Sequence, residues 1–291
     1  MIPEGMHWNQ AIIPSGSNPL KDGMVVLMSF KSDRTPVLIG VGFIISANGS
    51  EAVAITAAHN FDGIKSTQND KQTHHSSAVP EFVRGLDRID LDRKKVRVSC
   101  FNKNGVHAAV VKWAVWDKQS DIGFMGLGTQ EELPEYFQCA LQIGEPIIEI
   151  GSEVALLGYA LQLLESKVEG QEESFKYSQQ MLFRKGTITN YFPEGHILCR
   201  GPCIETSIPV ISGMSGGPVF GVVGEGQPIK PFGLISSGPE DENSDPHDRT
   251  KPGQSIIALL KPDFEKEAGN SIQKLRFEIG NAQFEKSESE S

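Results

Sequence analysis

Three short motifs in this 291-residue sequence combine side chains that can do nucleophilic and acid–base chemistry. Thr56-Ala57-Ala58-His59 ends an apolar segment and delivers one imidazole. Asp121-Ile122-Gly123-Phe124 opens an apolar segment with a carboxylate. Gly213-Met214-Ser215-Gly216-Gly217-Pro218-Val219 flanks a serine with glycines. A serine hydroxyl is a weak nucleophile until a base takes its proton, and an imidazole base needs a carboxylate to hold its tautomer. Glycines on both sides permit positive φ and close backbone approach, so N–H groups around Ser215 can point into one space. Fixed donors of that kind are what a developing oxyanion requires. Alone, the glycine-flanked serine also reads as a tight turn; it is the company of His59 and Asp121 that favours chemistry. Asp117 competes as the orienting acid. Asp121 is preferred because Ile122-Gly123-Phe124 reads as a buried strand, whereas Asp117 lies in a polar run over 117–120.

Elements are needed to bring such distant residues together. Short segments rich in β-branched and aliphatic residues, bounded by Gly, Pro, Asn and Asp, predict strands over 24–30, 37–45, 52–56, 95–101 and 106–113. The same signal recurs over 154–157, 185–189, 218–223 and 231–236. That pattern predicts an all-β sandwich or barrel, not a βαβ fold. Helical signals are sparse: one short turn over 57–60 and a closing helix with a charged face over 262–277. The polar stretches 66–93, 164–180 and 240–252 read as surface insertions, the second joining two strands. The Glu/Lys/Ser-rich tail 284–291 reads as disordered.

With His59, Asp121 and Ser215 in that chain order, each at a strand edge or loop, the sequence resembles the chymotrypsin/trypsin-like serine endopeptidases. The resemblance is specifically to their bacterial, HtrA-like branch without a disulfide set. Gly40-Val41-Gly42-Phe43-Ile44-Ile45, the segment from Gly151 to Tyr159, Lys185-Gly186-Thr187-Ile188, Phe232 to Gly238, and Lys251-Pro252-Gly253-Gln254-Ser255 resemble further family strands and turns. The resemblance implies two six-stranded antiparallel Greek-key β-barrels and a short C-terminal helix. It divides the chain into an arm (1–19), a first barrel with His59 and Asp121 (20–130), a second with Ser215 (131–262), and a helix with a disordered acidic tail (263–291).

The roles implied are also those of the family. Ser215 attacks the scissile carbonyl of a protein or peptide substrate, passing through an acyl-enzyme. His59 is general base and then general acid, Asp121 orients it, and the Gly213 and Ser215 N–H groups form the oxyanion hole. Ser236, Ser237 and Gly238 pair with the substrate backbone as an added strand. Pro209 and Val210 lie at the base of the primary pocket, which Gly238 and Gly253 leave open; with no acid at the base, a medium or large apolar side chain is expected there. The sequence departs from the family pattern in two places. Met214 stands where zymogen-activated members carry an Asp, and no Ile-Val-Gly-Gly-like start is present. The oxyanion loop is therefore expected either preformed or ordered by an activating protein partner. A protease-fold binding module with dormant catalysis is the alternative reading.

Composition narrows the partners. Lys and Arg number 27 against 37 Asp and Glu, a net charge of −10, which disfavours nucleic acid and anionic membranes. No stretch approaches the roughly 18 consecutive apolar residues of a membrane helix. A start without a basic, apolar leader, and only four cysteines, predict reduced thiols and a cytoplasmic location. His196, Cys199 and Cys203 lack the paired spacing of a zinc site and read as strand and turn residues. No metal or cofactor is expected.

Overall fold

The computed structural model describes residues 9–13, 19–31, 36–67, 83, 85–89, 91, 96–102, 105–128, 137, 139–169, 172–222, 227–238, 254–264 and 266–269. The first sheet contains β2 (Met24–Phe30), β3 (Pro36–Ala47), β4 (Glu51–Ala57), β5 (Asp87–Arg88), β6 (Val96–Asn102), β7 (Gly105–Asp117) and β8 (Ile122–Gly128). Its order is β5-β7-β6-β2-β3-β4-β8, and a β7–β8 pairing closes six of these strands into a barrel. The second sheet contains β1 (Asn9–Ile13), β9 (Glu153–Glu169), β10 (Glu172–Phe192), β11 (Cys203–Thr206), β12 (Pro218–Gly221), β13 (Pro231–Ser237) and β14 (Ser255–Leu259). There the order is β1-β10-β11-β14-β13-β12-β9, and a β9–β10 pairing closes six strands. All pairings within the two sheets are antiparallel. The two-barrel expectation holds, with β5 and β1 each added to a closed barrel.

The two-residue period of the strands assigns side chains to separate cores. Val25 and Leu27 join Ile44, Ala54, Phe61, Val98 and Met125 inside the first barrel, whereas Val26 between them joins a second cluster. Ile257 joins Leu156, Leu182, Ile204, Val219 and Ile235 inside the second barrel, while its neighbours Ile256 and Ala258 face outward to that same second cluster. This shared cluster contains Val41, Phe43 and Phe124 from one barrel and Leu157, Tyr159, Phe220 and Leu234 from the other. Burying a large apolar side chain is worth about 1.5–3 kcal/mol, so a seam of this size holds the barrels in register.

Several elements depart from expectation. Residues 164–180 are not an irregular connection: β9 and β10 pair through them, out to Glu169↔Glu172, with an irregularity at Lys176/Tyr177. Backbone pairing satisfies N–H and C=O groups whatever the polarity of the side chains, which is why composition misleads there. The arm over 1–19 contains β1, whose Asn9–Ile13 pairs with Lys185–Met181 of the second barrel. The short turn expected over 57–60 is a nine-residue helix, α2 (His59–Thr67). A further short helix, α1 (Pro19–Asp22), precedes β2. Of the closing helix expected over 262–277, residues 262–263 form a turn and Phe264 and residues 266–269 are helical; residue 265, residues 270–277, the 240–252 loop and the tail lie outside the described residues.

Candidate active site

β4 and β8 pair in antiparallel register to the contact Ala57↔Ile122, so the residues just beyond, Ala58 and Asp121, meet at the end of the ladder. The Ala58 N–H donates to the Asp121 carbonyl oxygen (3.1 Å). One residue further, α2 begins at His59. Its backbone N–H donates to Asp121 Oδ1 (2.9 Å), and its Nδ1 lies 3.1 Å from Oδ1 and 2.9 Å from Oδ2. Ser236 Oγ, from β13 of the other barrel, donates to Asp121 Oδ2 (2.6 Å). A nearly buried carboxylate needs such donors to offset its lost hydration. The same contacts favour the tautomer with the proton on Nδ1, which leaves Nε2 as the basic nitrogen. Asp121 has φ 54°, in the left-handed region, where Asp is better tolerated than most residues. That strained conformation costs on the order of 1–3 kcal/mol and turns the carboxylate back toward His59.

Asp117 is occupied elsewhere. It accepts from the Gln119 N–H (2.9 Å) and Ser120 Oγ (2.6 Å), capping its own turn.

Ser215 sits in a turn between two positive-φ glycines, Gly213 (φ 90°) and Gly216 (φ 88°). The turn is held by Met214 N–H to the Ile211 carbonyl (3.1 Å) and Gly217 N–H to the Met214 carbonyl (3.0 Å). It docks on β13 through Gly216 N–H to the Ile235 carbonyl (2.7 Å). The Ser215 carbonyl oxygen accepts from the Val41 N–H (2.9 Å) and from Asn60 Nδ2 (3.0 Å), bringing the serine loop to the residue that follows His59. Among the described residues, no acceptor meets the N–H groups of Gly213 and Ser215. Met214 is fully buried among Ile208, Val210 and Ile235, and a Cβ on Gly158 would lie 2.7 Å from its Cε.

Of the residues expected to bind substrate, Ser236 lies against Asp121 and Val210 against Gly238. A register shift between Ile235 and Ser237 in the β13–β14 pairing leaves Ser236 out of the ladder, with its hydroxyl on Asp121. Ser237 Oγ is buried with no hydrogen-bond partner among the described residues. The Pro209 carbonyl accepts from Arg184 Nη1 (2.6 Å), a guanidinium that burial pulls down to about 10. A Cβ on Gly238 would lie 2.1 Å from Val210 Cγ2, so the Val210 methyl packs directly against the glycine. Gly253 lies outside the described residues.

Sequence reasoning missed Asn60, Thr56 and Arg184. Thr56 and Asn60 flank the Ala-Ala-His run, but nothing in their types announces the hydrogen bond between them or the contact Asn60 makes across the barrels. Cys203 Sγ donates to the Cys199 carbonyl (3.6 Å) and Cys199 Sγ to the Ser120 carbonyl (3.5 Å); the neighbouring thiol, with burial, raises Cys199, and the same neighbour lowers Cys203. His196 pairs with Cys199 only through backbone bonds. Among the described residues no group of His, Cys, Asp and Glu is disposed to hold a metal.

A family model for the trypsin-like peptidase domain matches residues 40–226, more than half of the chain and the span that holds His59, Asp121 and Ser215. No curated protein matches it.

Proposed function

The chain belongs to the trypsin-like peptidase family, and from that premise we propose that it is a serine endopeptidase working through His59, Asp121 and Ser215. The observation that carries this reading is the Asp121 carboxylate, which holds both the backbone and Nδ1 of His59 while the Ser215 loop docks on the next residue, Asn60. His59 Nε2 takes the Ser215 proton as Oγ adds to the scissile carbonyl, and Asp121 stabilises the imidazolium that forms. The oxyanion is met by the Gly213 and Ser215 N–H groups; one such donor is worth about 10²–10³ in rate. His59 then protonates the leaving amine, and water resolves the acyl-enzyme by the same route. The substrate is a protein or peptide segment that adds as a strand along Ser236–Gly238. Buried packing of Met214 beside Gly158 supports an oxyanion loop that is already formed, with an apolar anchor in place of an ion pair. The methyl of Val210 against Gly238 favours a small side chain on the amino side of the cleaved bond.

A fluorophosphonate probe tests the central claim. Wild-type protein is expected to take one label, on Ser215, and Ser215→Ala none. An unlabelled wild type, or equal labelling of both proteins, overturns the assignment.

A further inference from the structure

Thr56 and Asn60 are polar and buried, exposed by 0% and 2%, and the reaction above assigns them nothing. Asn60 Nδ2 donates to the Ser215 carbonyl (3.0 Å) and to Thr56 Oγ1 (2.8 Å). Thr56 Oγ1 donates to the Val41 carbonyl (2.6 Å), and the Val41 N–H donates back to the Ser215 carbonyl (2.9 Å). The bonds close a ring that joins β3, β4 and α2 of the first barrel to one backbone atom of the second. Two glycines make room for it. A Cβ on Gly40 would lie 2.5 Å from Asn60 Nδ2, and one on Gly216 would lie 2.1 Å from the Val41 carbonyl oxygen and 2.5 Å from Thr56 Oγ1.

We infer that Asn60 is a positioning residue, whose amide fixes the Ser215 backbone relative to His59 across the barrel seam. The inference rests on reading Ser215 as the nucleophile. Ser215 and His59 belong to different barrels, so their separation is set by whatever bonds cross the seam beside them. The peptide N–H of Val41 is one such bond, and the Asn60 amide is the only side chain among the described residues that donates to the Ser215 carbonyl. Because Asn60 directly follows His59 in the first turn of α2, its bond ties the serine to the same turn that carries the base. A misplacement of ~1 Å between reacting groups costs on the order of 10²-fold in rate, so this bond acts on the chemical step more than on binding.

Saturation kinetics of fluorophosphonate labelling separate the limiting inactivation rate from probe affinity. Asn60→Leu, of similar volume without the donor, is expected to lower the limiting rate by about 30-fold or more, with affinity changed less than about threefold. Thr56→Val breaks the same ring but keeps the Asn60–Ser215 bond, and is expected to lose less than about fivefold in limiting rate while lowering the melting midpoint. Asn60→Asp keeps the shape but replaces the donor, and carries the same expectation as Asn60→Leu if the latter does not fold. A folded Asn60→Leu or Asn60→Asp that labels at the wild-type limiting rate overturns the inference. So does a loss no greater than that of Thr56→Val. An unlabelled wild type strikes the assignment of Ser215 itself, a distinct outcome.

Discussion

Asp121 shows how much one residue is asked to do at this site. Its left-handed backbone, its four polar contacts and its place one step past the end of the β4–β8 ladder all serve the orientation of His59. Asp117, four residues earlier and chemically identical, spends both carboxylate oxygens on its own turn. Val210 matters at the same scale, because its Cγ2 fills the space beside Gly238. Cleavage is therefore expected after Gly, Ala or Ser in preference to Leu or Phe. Val210→Ala is expected to raise kcat/KM for Leu or Phe at that position, relative to Ala, by about tenfold or more, as removal of methyls from an apolar pocket does. A panel of peptides differing at one position checks this; an unchanged preference removes Val210 from the pocket wall.

At the scale of elements, the serine turn is held by its shape. Gly216 lies at φ 88° with a backbone oxygen where its Cβ would go. Gly216→Ala combines left-handed strain with a clash against the Val41 carbonyl, which cannot rotate away as a flexible side chain would. A loss of roughly 3 kcal/mol or more in folding stability is expected, together with loss of fluorophosphonate labelling. Urea unfolding and labelling measure the two effects separately. The β9–β10 hairpin teaches a different lesson about elements. Its polar outer half would not have been read as strand from composition, yet the register from Thr187↔Glu153 to Glu172↔Glu169 runs through it with one irregularity.

For the whole molecule, two closed barrels share one apolar seam, and the site lies where their strand ends meet across it. Each barrel also buries groups of its own. Cys100, on β6 of the first barrel, has its thiol pushed up by burial from 9.0 to about 12. The unfolded chain therefore releases this proton first as pH rises, and the folded state keeps it. The thiol costs no stability below pH about 9, and stability declines from there toward pH about 12, at a limiting slope of ~1.4 kcal/mol per pH unit. Urea unfolding of wild type and Cys100→Ala from pH 8 to 10.5 checks it, near the ordinary thiol range and above. The wild type is expected to lose stability relative to the variant as pH rises, and a constant difference contradicts the burial account.

The order His59, Asp121, Ser215, the glycines around the serine, and most strand positions were legible in the sequence. Motif chemistry and two-residue periodicity are local properties, carried by neighbouring residues. What the tertiary structure decided are relations between residues far apart in the chain. It set Ser236 on the Asp121 carboxylate and put Val210 against Gly238. It also brought Asn60 to the Ser215 carbonyl. None of these follows from residue type, because each depends on strand register and on how one barrel seats against the other. A one-residue slip in register would turn every side chain of a strand to its opposite face.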